Sequence, residues 1–376
     1  MHNKNIFLWL VCLAGAHTCV AQTFQGVPFA PGTVSNQSFR ISDDGSTVVS
    51  DDNIQLNRRV TRWRIGGALD VLNPLPGFDL TYSPVVSADG SVVAGTVDAV
   101  LGTAAGFRWT QSTGMTALTG MTTSYGISAD GSTVVGFDDT ASGLAVRWTA
   151  ATGVQSLAPF AGTPLGIFRA SVASAATTNG ALVFGTVSVQ ITSGMNPEYR
   201  GTPFVWDAVN GSRIIRELDG SITNNGVSDC TPDGSVLCGF RGPIIGEPLA
   251  NRLFRWTATG GYQYFDFTAT QFSNVRPHIT ADGSVIVTGF NYWSQTGGMR
   301  LLTSVLNEAG CNFTGWSGIE AVDVSADGRT IVGNGINPLG QSQGWVATIP
   351  APGAAGFLVA TLACGGVLNS RRRRRN

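Results

Sequence analysis

The stretch that decides the fold is Ile127-Ser128-Ala129-Asp130-Gly131-Ser132-Thr133-Val134-Val135. Five further copies share its Asp-Gly pair, and a degraded copy has Asn-Gly instead. Their glycines are Gly45, Gly90, Gly131, Gly180, Gly234, Gly283 and Gly328. The steps between these glycines are 45, 41, 49, 54, 49 and 45 residues. Repeats of about 40 to 50 residues are typical of propeller blades, whereas ankyrin and leucine-rich repeats are shorter.

One repeat is long enough for four short antiparallel strands. In the third repeat, Gly131 follows Asp130 in a hairpin turn, where glycine accepts the positive φ that such turns need. The apolar alternation predicts strands over Tyr125 to Ser128, Ser132 to Phe137, Leu144 to Thr149 and Val154 to Leu157. Four such strands, covered on both faces by neighbouring sheets, make one blade.

A second landmark, usually Arg-Trp, follows each glycine. Its copies are Arg62-Trp63, Phe107-Arg108-Trp109, Val146-Arg147-Trp148, Phe204-Val205-Trp206, Phe254-Arg255-Trp256, Met299-Arg300-Leu301 and Gly344-Trp345. The tryptophans are predicted to pack between blades, the alternative being a carbohydrate platform. The repeated aspartates are predicted to bond nearby backbone groups, because one carboxylate per blade cannot supply the several ligands that calcium requires.

Together these units resemble the HAF repeat of exported bacterial proteins, over nearly all of residues 22–349. The resemblance implies an architecture more than an activity. We expect an all-β fold, a β-propeller of seven four-stranded blades, with six or eight blades as the alternatives. The seventh repeat stops after its third strand, Trp345 to Ile349, so the segment from Phe24 to Arg40 is expected to close the ring.

The N-terminal residues 1–21 are predicted to be a signal peptide. His2 and Lys4 precede an apolar run from Ile6 to Ala16, and Cys19-Val20-Ala21 offers the small residues that a signal peptidase reads. Cleavage is expected after Ala21. A buried N-terminal strand and a lipoprotein are the alternatives.

Residues 350–376 are predicted to be a sorting tail with a short hydrophobic helix. Pro350-Ala351-Pro352 precedes the apolar run Gly353 to Leu368, which is shorter than the about 20 residues of a stable spanning helix. The tail ends with Arg371, Arg372, Arg373, Arg374 and Arg375, which favour the cytoplasmic side. This pattern resembles the PEP-CTERM tail, which implies an exosortase-like processing enzyme and contact with the inner membrane. Ala351 replaces the glutamate of that motif, so a plain tail anchor is the alternative.

Charge and motif content narrow the function. Six of the 23 basic residues lie in the terminal segments and all 24 acidic residues lie between them, so the body has an acidic excess of seven. Such a body lacks the basic patch that nucleic acid requires. No catalytic, cofactor or metal motif occurs, and His278, the one histidine of the body, is expected in a loop.

Two further groups of residues are candidates. The cysteines Cys230 and Cys238 flank a turn and are a candidate disulfide, although a two-residue turn would pair Cys230 with Leu237. Two long loops, Val187 to Thr202 and Arg241 to Arg252, lie on the rim opposite the Asp-Gly turns. They supply the candidate ligand rim, Asn196, Glu198, Tyr199, Arg200, Arg241 and Glu247, the alternative being tolerated surface insertions.

The sequence therefore predicts an exported protein of the cell envelope or extracellular matrix, held at the membrane by its tail at least transiently. Its propeller is predicted to be a binding or structural module for exopolysaccharide or surface proteins. The alternative is a carbohydrate-active hydrolase or lyase on the same scaffold, because a pair of carboxylates brought together by the fold leaves no spacing signature.

Overall fold

Seven antiparallel sheets surround one central channel. The computed structural model describes residues 23–54, 57–99, 102, 104–139, 143–161, 168–193, 198–242, 252–267 and 275–350. The sheets are the blades of a propeller, numbered here in chain order. The predicted all-β architecture and the predicted number of seven blades are confirmed.

Blades 1 to 3 each consist of four consecutive strands. Blade 1 has β2 (Thr33–Ile41), β3 (Thr47–Ile54), β4 (Asn57–Arg64) and β5 (Leu69–Val71). Blade 2 has β6 (Leu80–Val86), β7 (Val92–Asp98), β8 (Ala104–Thr110) and β9 (Gly114–Leu118). Blade 3 has β10 (Thr123–Ile127), β11 (Thr133–Asp138), β12 (Leu144–Thr149) and β13 (Gly153–Ser156), close to the four strands predicted for this repeat.

Blades 4 to 6 follow the same order, and blade 4 gains a short parallel strand, β14 (Phe160–Ala161), at its outer edge. Blade 4 has β15 (Phe168–Ala176), β16 (Val183–Gln190), β17 (Tyr199–Asp207) and β18 (Gly211–Ile214). Blade 5 has β19 (Asn225–Cys230), β20 (Val236–Arg241), β21 (Arg252–Thr257) and β22 (Gly261–Phe265). Blade 6 has β23 (His278–Ile279), β24 (Val285–Thr288), β25 (Asn291–Ser294) and β26 (Gly298–Leu301).

Blade 7 joins the two ends of the propeller. Its inner strands are β27 (Ser317–Val324), β28 (Thr330–Ile336) and β29 (Ser342–Thr348), and its outer strand is β1 (Thr23–Gly26). The ring of Phe24 stacks on Trp345 with centroids 5.2 Å apart and also contacts Phe313 and Trp316. The predicted ring closure by the N-terminal segment is confirmed, with β1 as the closing strand.

The repeated phrase builds the turn after each innermost strand. In blade 5, the Thr231 hydroxyl donates to Asp233 over 2.6 Å, and the Ser235 amide donates to the same carboxylate over 3.0 Å. These hydrogen bonds hold the pKa of Asp233 below its usual value. The aspartates thus have the predicted turn role. Among the described residues, no group of three or more His, Cys, Asp or Glu is arranged to hold a metal ion.

The Arg-Trp landmark ties each blade to the next. Arg62 of blade 1 donates its Nε proton to the carbonyl of Gly90 in blade 2 over 2.8 Å, and its guanidinium lies 5.8 Å from the Trp109 ring. Arg108 and Arg255 make the equivalent pairs of contacts with the following blades. The predicted packing of the tryptophans between blades is confirmed for Trp109, Trp148 and Trp293, and the landmark arginine of the preceding blade supplies the link.

Two of the landmark assignments were wrong. In blade 6, Arg255 stacks on Trp293 of the third strand, so Trp293 is the equivalent of the landmark tryptophan in the other blades. The predicted landmark, Met299-Arg300-Leu301, lies on the fourth strand. In blade 7, Trp345 lies two residues before the landmark position and pairs with Gly333, as Phe107 pairs with Gly95 in blade 2. The two errors have different causes: blade 6 has a short hairpin between its second and third strands, and blade 7 has its tryptophan where blade 2 has Phe107.

A ring of backbone hydrogen bonds runs around the turn end of the channel. The backbone atoms that form it belong either to the turn aspartate or to the residue that precedes the Asp-Gly or Asn-Gly pair. The links, each of 2.9 to 3.0 Å, are Asp44 N to Ala88 O, Ala88 N to Ala129 O, Asp130 N to Thr178 O, Thr178 N to Pro232 O, Ala281 N to Ala326 O and Ala326 N to Asp43 O. Pro232 has no N–H to donate, and the ring has no link from blade 5 to blade 6 in the described residues.

The described residues include one helix, α1 (Leu302–Glu308), which follows blade 6 and was not predicted. Its buried side chains Leu302, Val305 and Leu306 pack into the core shared by blades 6 and 7. The predicted signal peptide and sorting tail, including Pro352 and Arg371 to Arg375, lie outside the described residues. No helix within the described residues is long and apolar enough to cross a membrane.

Candidate ligand site in the central channel

The innermost strands line the channel with two unlike walls. Five residues before each turn glycine, one residue per blade reaches the lumen. In blade order these residues are Arg40, Val85, Gly126, Ala175, Asp229, His278 and Asp323. Charged or titratable side chains therefore cover the wall formed by blades 5, 6, 7 and 1, and small or apolar ones cover blades 2 to 4. This asymmetry makes the channel the candidate functional site.

His278 lies between two carboxylates on the polar wall. Its Nδ1 atom is 3.3 Å from Asp229 Oδ2 and 3.4 Å from Asp323 Oδ1. Each carboxylate also accepts a backbone N–H from the next blade, Asp229 from Ile279 over 3.1 Å and Asp323 from Ile41 over 3.0 Å. Asp229 thus joins blade 5 to blade 6 where Pro232 cannot. The expected loop location of His278 was wrong, because this residue begins β23 and faces the channel.

Asp43 adds a third carboxyl group to the turn end of the lumen. It stands in the ring position that other blades fill with alanine, threonine or proline. Burial, and then the nearby charges of Asp229, Asp323 and Asp44, raise the pKa of Asp43 to about 6. Burial also raises the pKa of Asp323. A carboxyl group with such a pKa exchanges protons near neutral pH.

A pair of side chains crosses the lumen. The guanidinium of Arg276, in the segment before β23 of blade 6, lies 4.8 Å from the ring centroid of Tyr125 in blade 3. Both residues line the turn-end cavity of about 130 Å³ and two wider cavities, of about 410 and 390 Å³, at the opposite end. The pair therefore lies between two parts of the channel. One is the turn-end cavity lined by Asp43, Asp229 and Asp323, here called the acidic chamber, and the other is the two larger cavities, here called the wider mouth.

The wider mouth contains arginine side chains without a carboxylate partner. Within the described part of the chain, neither Arg276 nor Arg40 has a carboxylate at ion-pair distance, and Arg40 donates to the carbonyl of Phe39 over 2.7 Å. The side chain of Arg276 is exposed to the lumen, but the walls of the channel surround it and limit its contact with bulk water. Burial, and then the positive charge of Arg40, lower the pKa of Arg276. The two positive charges therefore repel each other.

Two strained serines line the larger of these cavities. Ser38 has φ 57° and Ser83 has φ 53°, the left-handed conformation that costs a non-glycine residue about 1 to 2 kcal/mol. Each lies in a β-bulge of an innermost strand. Behind them, Asp51 accepts the Ser83 amide over 3.2 Å. Burial raises the pKa of Asp51 to about 7, and the hydrogen bonds from Ser83 and Ser38 offset this rise only in part.

Comparison with known proteins supports the fold. No protein-family model matches the sequence, and a search of curated proteins finds no match. An oligogalacturonate lyase from Vibrio parahaemolyticus is similar at a TM-score of 0.54 and 9% identity, over 88% of this chain and 98% of that one. An oligogalacturonate lyase in complex with manganese has a TM-score of 0.53 and 11% identity, over 88% and 97%. TolB from Acinetobacter baumannii has a TM-score of 0.44 and 11% identity, and this chain, with 82% of its residues, spans 65% of TolB. At these identities the likeness to the two lyases shows the fold alone, and nothing about activity.

The described residues of the predicted ligand rim use their side chains in contacts within the protein. Glu198 and Arg200 form an ion pair of 2.8 Å, and Arg200 also donates to the carbonyl of Ile222 over 3.2 Å. Arg241 lies 4.9 Å from the Tyr264 ring. None of these residues, nor Tyr199, lines the three cavities. Asn196 and Glu247 lie outside the described residues.

The first of the predicted long loops is shorter than expected. Strand β16 continues to Gln190 and strand β17 begins at Tyr199, so much of the segment from Val187 to Thr202 is sheet. Only residues 191–198 connect the two strands.

The predicted disulfide is not formed. Cys230 and Cys238 are both free, and the strand register explains why. Cys230 pairs with Leu237, and Cys238 pairs with Asp229, one position away. Cys230 therefore packs towards blade 4 and Cys238 towards blade 6, on opposite faces of the same sheet.

The residues of the polar wall share one position of the sequence repeat. Aligning the seven repeats on their glycines shows that Arg40, Asp229, His278 and Asp323 share one position, and that Asp43 departs from the small residues at another. Arg276 has no such signal, because its place opposite Tyr125 depends on a segment outside the strands.

Proposed function

We propose that this protein is an exported binding module of the cell envelope, and that its ligand enters the wider mouth of the central channel. The proposed partner is an exopolysaccharide or a surface glycan. Export and transient membrane attachment rest on the signal peptide and the sorting tail read from the sequence. Processing of that tail by an exosortase-like enzyme belongs to the same proposal.

The asymmetry of the lumen carries this proposal. A channel that serves only as packing would be lined by the small residues of blades 2 to 4 all the way round. Instead, one wall has charged groups, and two cavities of about 410 and 390 Å³ open beside it. Ligand pockets usually measure about 300 to 1,000 Å³, so a sugar unit fits these cavities.

The substitution Gly226→Leu in the channel mouth tests the proposal. A Cβ atom built on Gly226, which lines the 390 Å³ cavity, has no neighbour closer than 3.8 Å. Gly226→Leu should therefore fold and fill the cavity. We expect full-length protein in mild detergent to bind a polysaccharide from a glycan screen, and Gly226→Leu to lower that affinity about tenfold or more.

The control is the same substitution at Gly67, in the exposed turn between β4 and β5, where the nearest neighbour is 3.4 Å away. It should leave binding unchanged. Equal binding by both variants would move the ligand away from the channel and return attention to the rim with Glu198 and Arg241.

A hydrolase or lyase is the second candidate, and the acidic chamber favours it. Asp43, whose pKa is raised to about 6, shares this chamber with His278, which supplies a second group for proton transfer. The chamber, at about 130 Å³, is smaller than a sugar-binding pocket, so the first proposal has the stronger support. Release of shortened products from a bound polysaccharide would favour the enzyme.

A further inference from the structure

Positive charge is concentrated at one point in the wider mouth of the channel. Arg276 and Arg40 both line the 410 Å³ cavity, so their like charges repel each other, and the charge of Arg40 helps to lower the pKa of Arg276. Asp323 feels the positive charge of Arg40, but it already accepts the Ile41 amide and faces His278. Arg276 has only the face of Tyr125. An anion between the two guanidinium groups would relieve this repulsion.

The lining around the two arginines suits a sugar. Gln37, Ser38 and Ser83 line the same cavity and bring an amide and two hydroxyl groups to it. Such groups hydrogen bond to the hydroxyls of a saccharide. A guanidinium group matches the two oxygens of a carboxylate, and this match is stronger than a hydrogen bond between neutral groups.

The charge of the whole body limits the class of ligand. An acidic excess of seven residues repels a densely charged polyanion at long range. A ligand with one or a few carboxylates is repelled less by the acidic body. If one carboxylate lies at the end of the ligand, it can reach the two arginines alone.

We propose that the cavity between Arg40 and Arg276 binds the carboxylate of a uronic acid unit at the end of an extracellular polysaccharide. This inference rests on the proposed function and names its ligand class. Arg276 and Arg40 bind the carboxylate, and the serines and Gln37 bind the ring hydroxyls. Tyr125 keeps Arg276 oriented towards the cavity.

Calorimetric titration of the full-length protein in mild detergent tests this inference, with methyl glucuronide and methyl glucoside as matched charged and neutral probes. We expect the glucuronide to bind more tightly. Arg276→Gln and Arg40→Gln should each weaken glucuronide binding about 10- to 100-fold, because each removes a charged hydrogen bond. Arg64→Gln, on the exposed end of β4, should bind the glucuronide as the wild type does.

Several outcomes would overturn the inference. One is equal glucuronide affinity in wild type, Arg276→Gln and Arg40→Gln, and another is equal binding of the glucuronide and the glucoside. Acetate or phosphate binding as tightly as the glucuronide would reduce the site to an unspecific anion site. Thermal melts of each variant show whether it is folded, and Arg276→Gln, whose side chain reaches the lumen, is the less disruptive of the two.

The same experiments separate this inference from the proposed function. If Gly226→Leu abolishes polysaccharide binding while Arg276→Gln leaves it unchanged, the channel is the binding site and the uronic acid assignment is wrong. If Gly226→Leu has no effect either, both are wrong.

Discussion

Asp51 lies behind the strained serines of the wider cavity, with 1% of its surface exposed. Burial raises the pKa of Asp51 from 3.8 to about 7, which means that the folded protein prefers the neutral carboxyl group. The unfolded chain releases this proton near pH 4. Between these two values the folded state binds more protons than the unfolded state, so stability falls as pH rises. The full contribution of the neutral group is present below pH 4 and is lost above about pH 7.

Asp51→Asn should therefore remove much of the fall in unfolding free energy between pH 4 and pH 7. The asparagine stays neutral and its side-chain oxygen can still accept the Ser83 amide. We expect the wild type to lose about 2 to 4 kcal/mol more than the variant across this range. Urea unfolding at pH 4, 5.5 and 7 measures the difference. Asp266→Asn, at an exposed carboxylate paired with Arg252, should keep the wild-type pH profile. Parallel profiles for wild type and Asp51→Asn would contradict the assignment.

At the scale of the element, the turn between the first and second strands of a blade does two things. It closes its own hairpin, and it packs on the neighbouring blade. Gly131 has φ 68°, and a Cβ atom at this position would approach Val92 of blade 2 to 2.6 Å. Gly114, the first residue of the fourth strand of blade 2, has φ 64°, but no atom lies within 4 Å of such a Cβ.

These two glycines form a matched pair for measuring how tightly blades pack at the turns. Gly114→Ala should cost about 1 to 2 kcal/mol, because only the left-handed conformation is penalised. Gly131→Ala should cost a further 1 to 3 kcal/mol, roughly, since the new methyl group displaces Val92. Denaturant unfolding of both variants gives the difference. Equal losses would mean that the turn yields without cost and that blade packing lies elsewhere.

At the scale of the whole molecule, the repeat spacing was sufficient to predict the architecture. The positions of Gly131 and its six counterparts fix where each hairpin turns, and the missing strand of the last repeat predicts closure by Phe24. The position of the landmark tryptophan in blade 6 could not be predicted from this spacing. Its second and third strands, β24 and β25, are joined by a two-residue turn at Gly289 and Phe290, which brings Trp293 closer to the turn glycine than in other blades.

The channel site was harder to predict than the fold. Single charged residues such as Arg40 and Asp323 are scattered along the chain, and only the circular arrangement of blades makes them neighbours. The opposition of Arg276 and Tyr125, from blades 6 and 3, is a property of the closed ring. The rim residues, by contrast, were chosen from loop length, and Arg200 uses its charge within its own blade and the segment that follows it.

Closure by β1 makes the stability of the propeller depend on four residues at its start. Strand β1 pairs with β29 from Thr23 with Thr348 to Gly26 with Trp345, and Phe24 stacks on Trp345. A chain that begins at Val27 would lose this strand and leave the edge of β29 unpaired. We expect it to lose about 3 kcal/mol or more relative to a chain that begins at Thr23, by the loss of the aromatic side chain alone. The exposed edge should also promote association, measured by light scattering at increasing concentration. If both chains melt at the same temperature and remain monomeric, the ring is held by contacts between blade faces, and its closing strand contributes little.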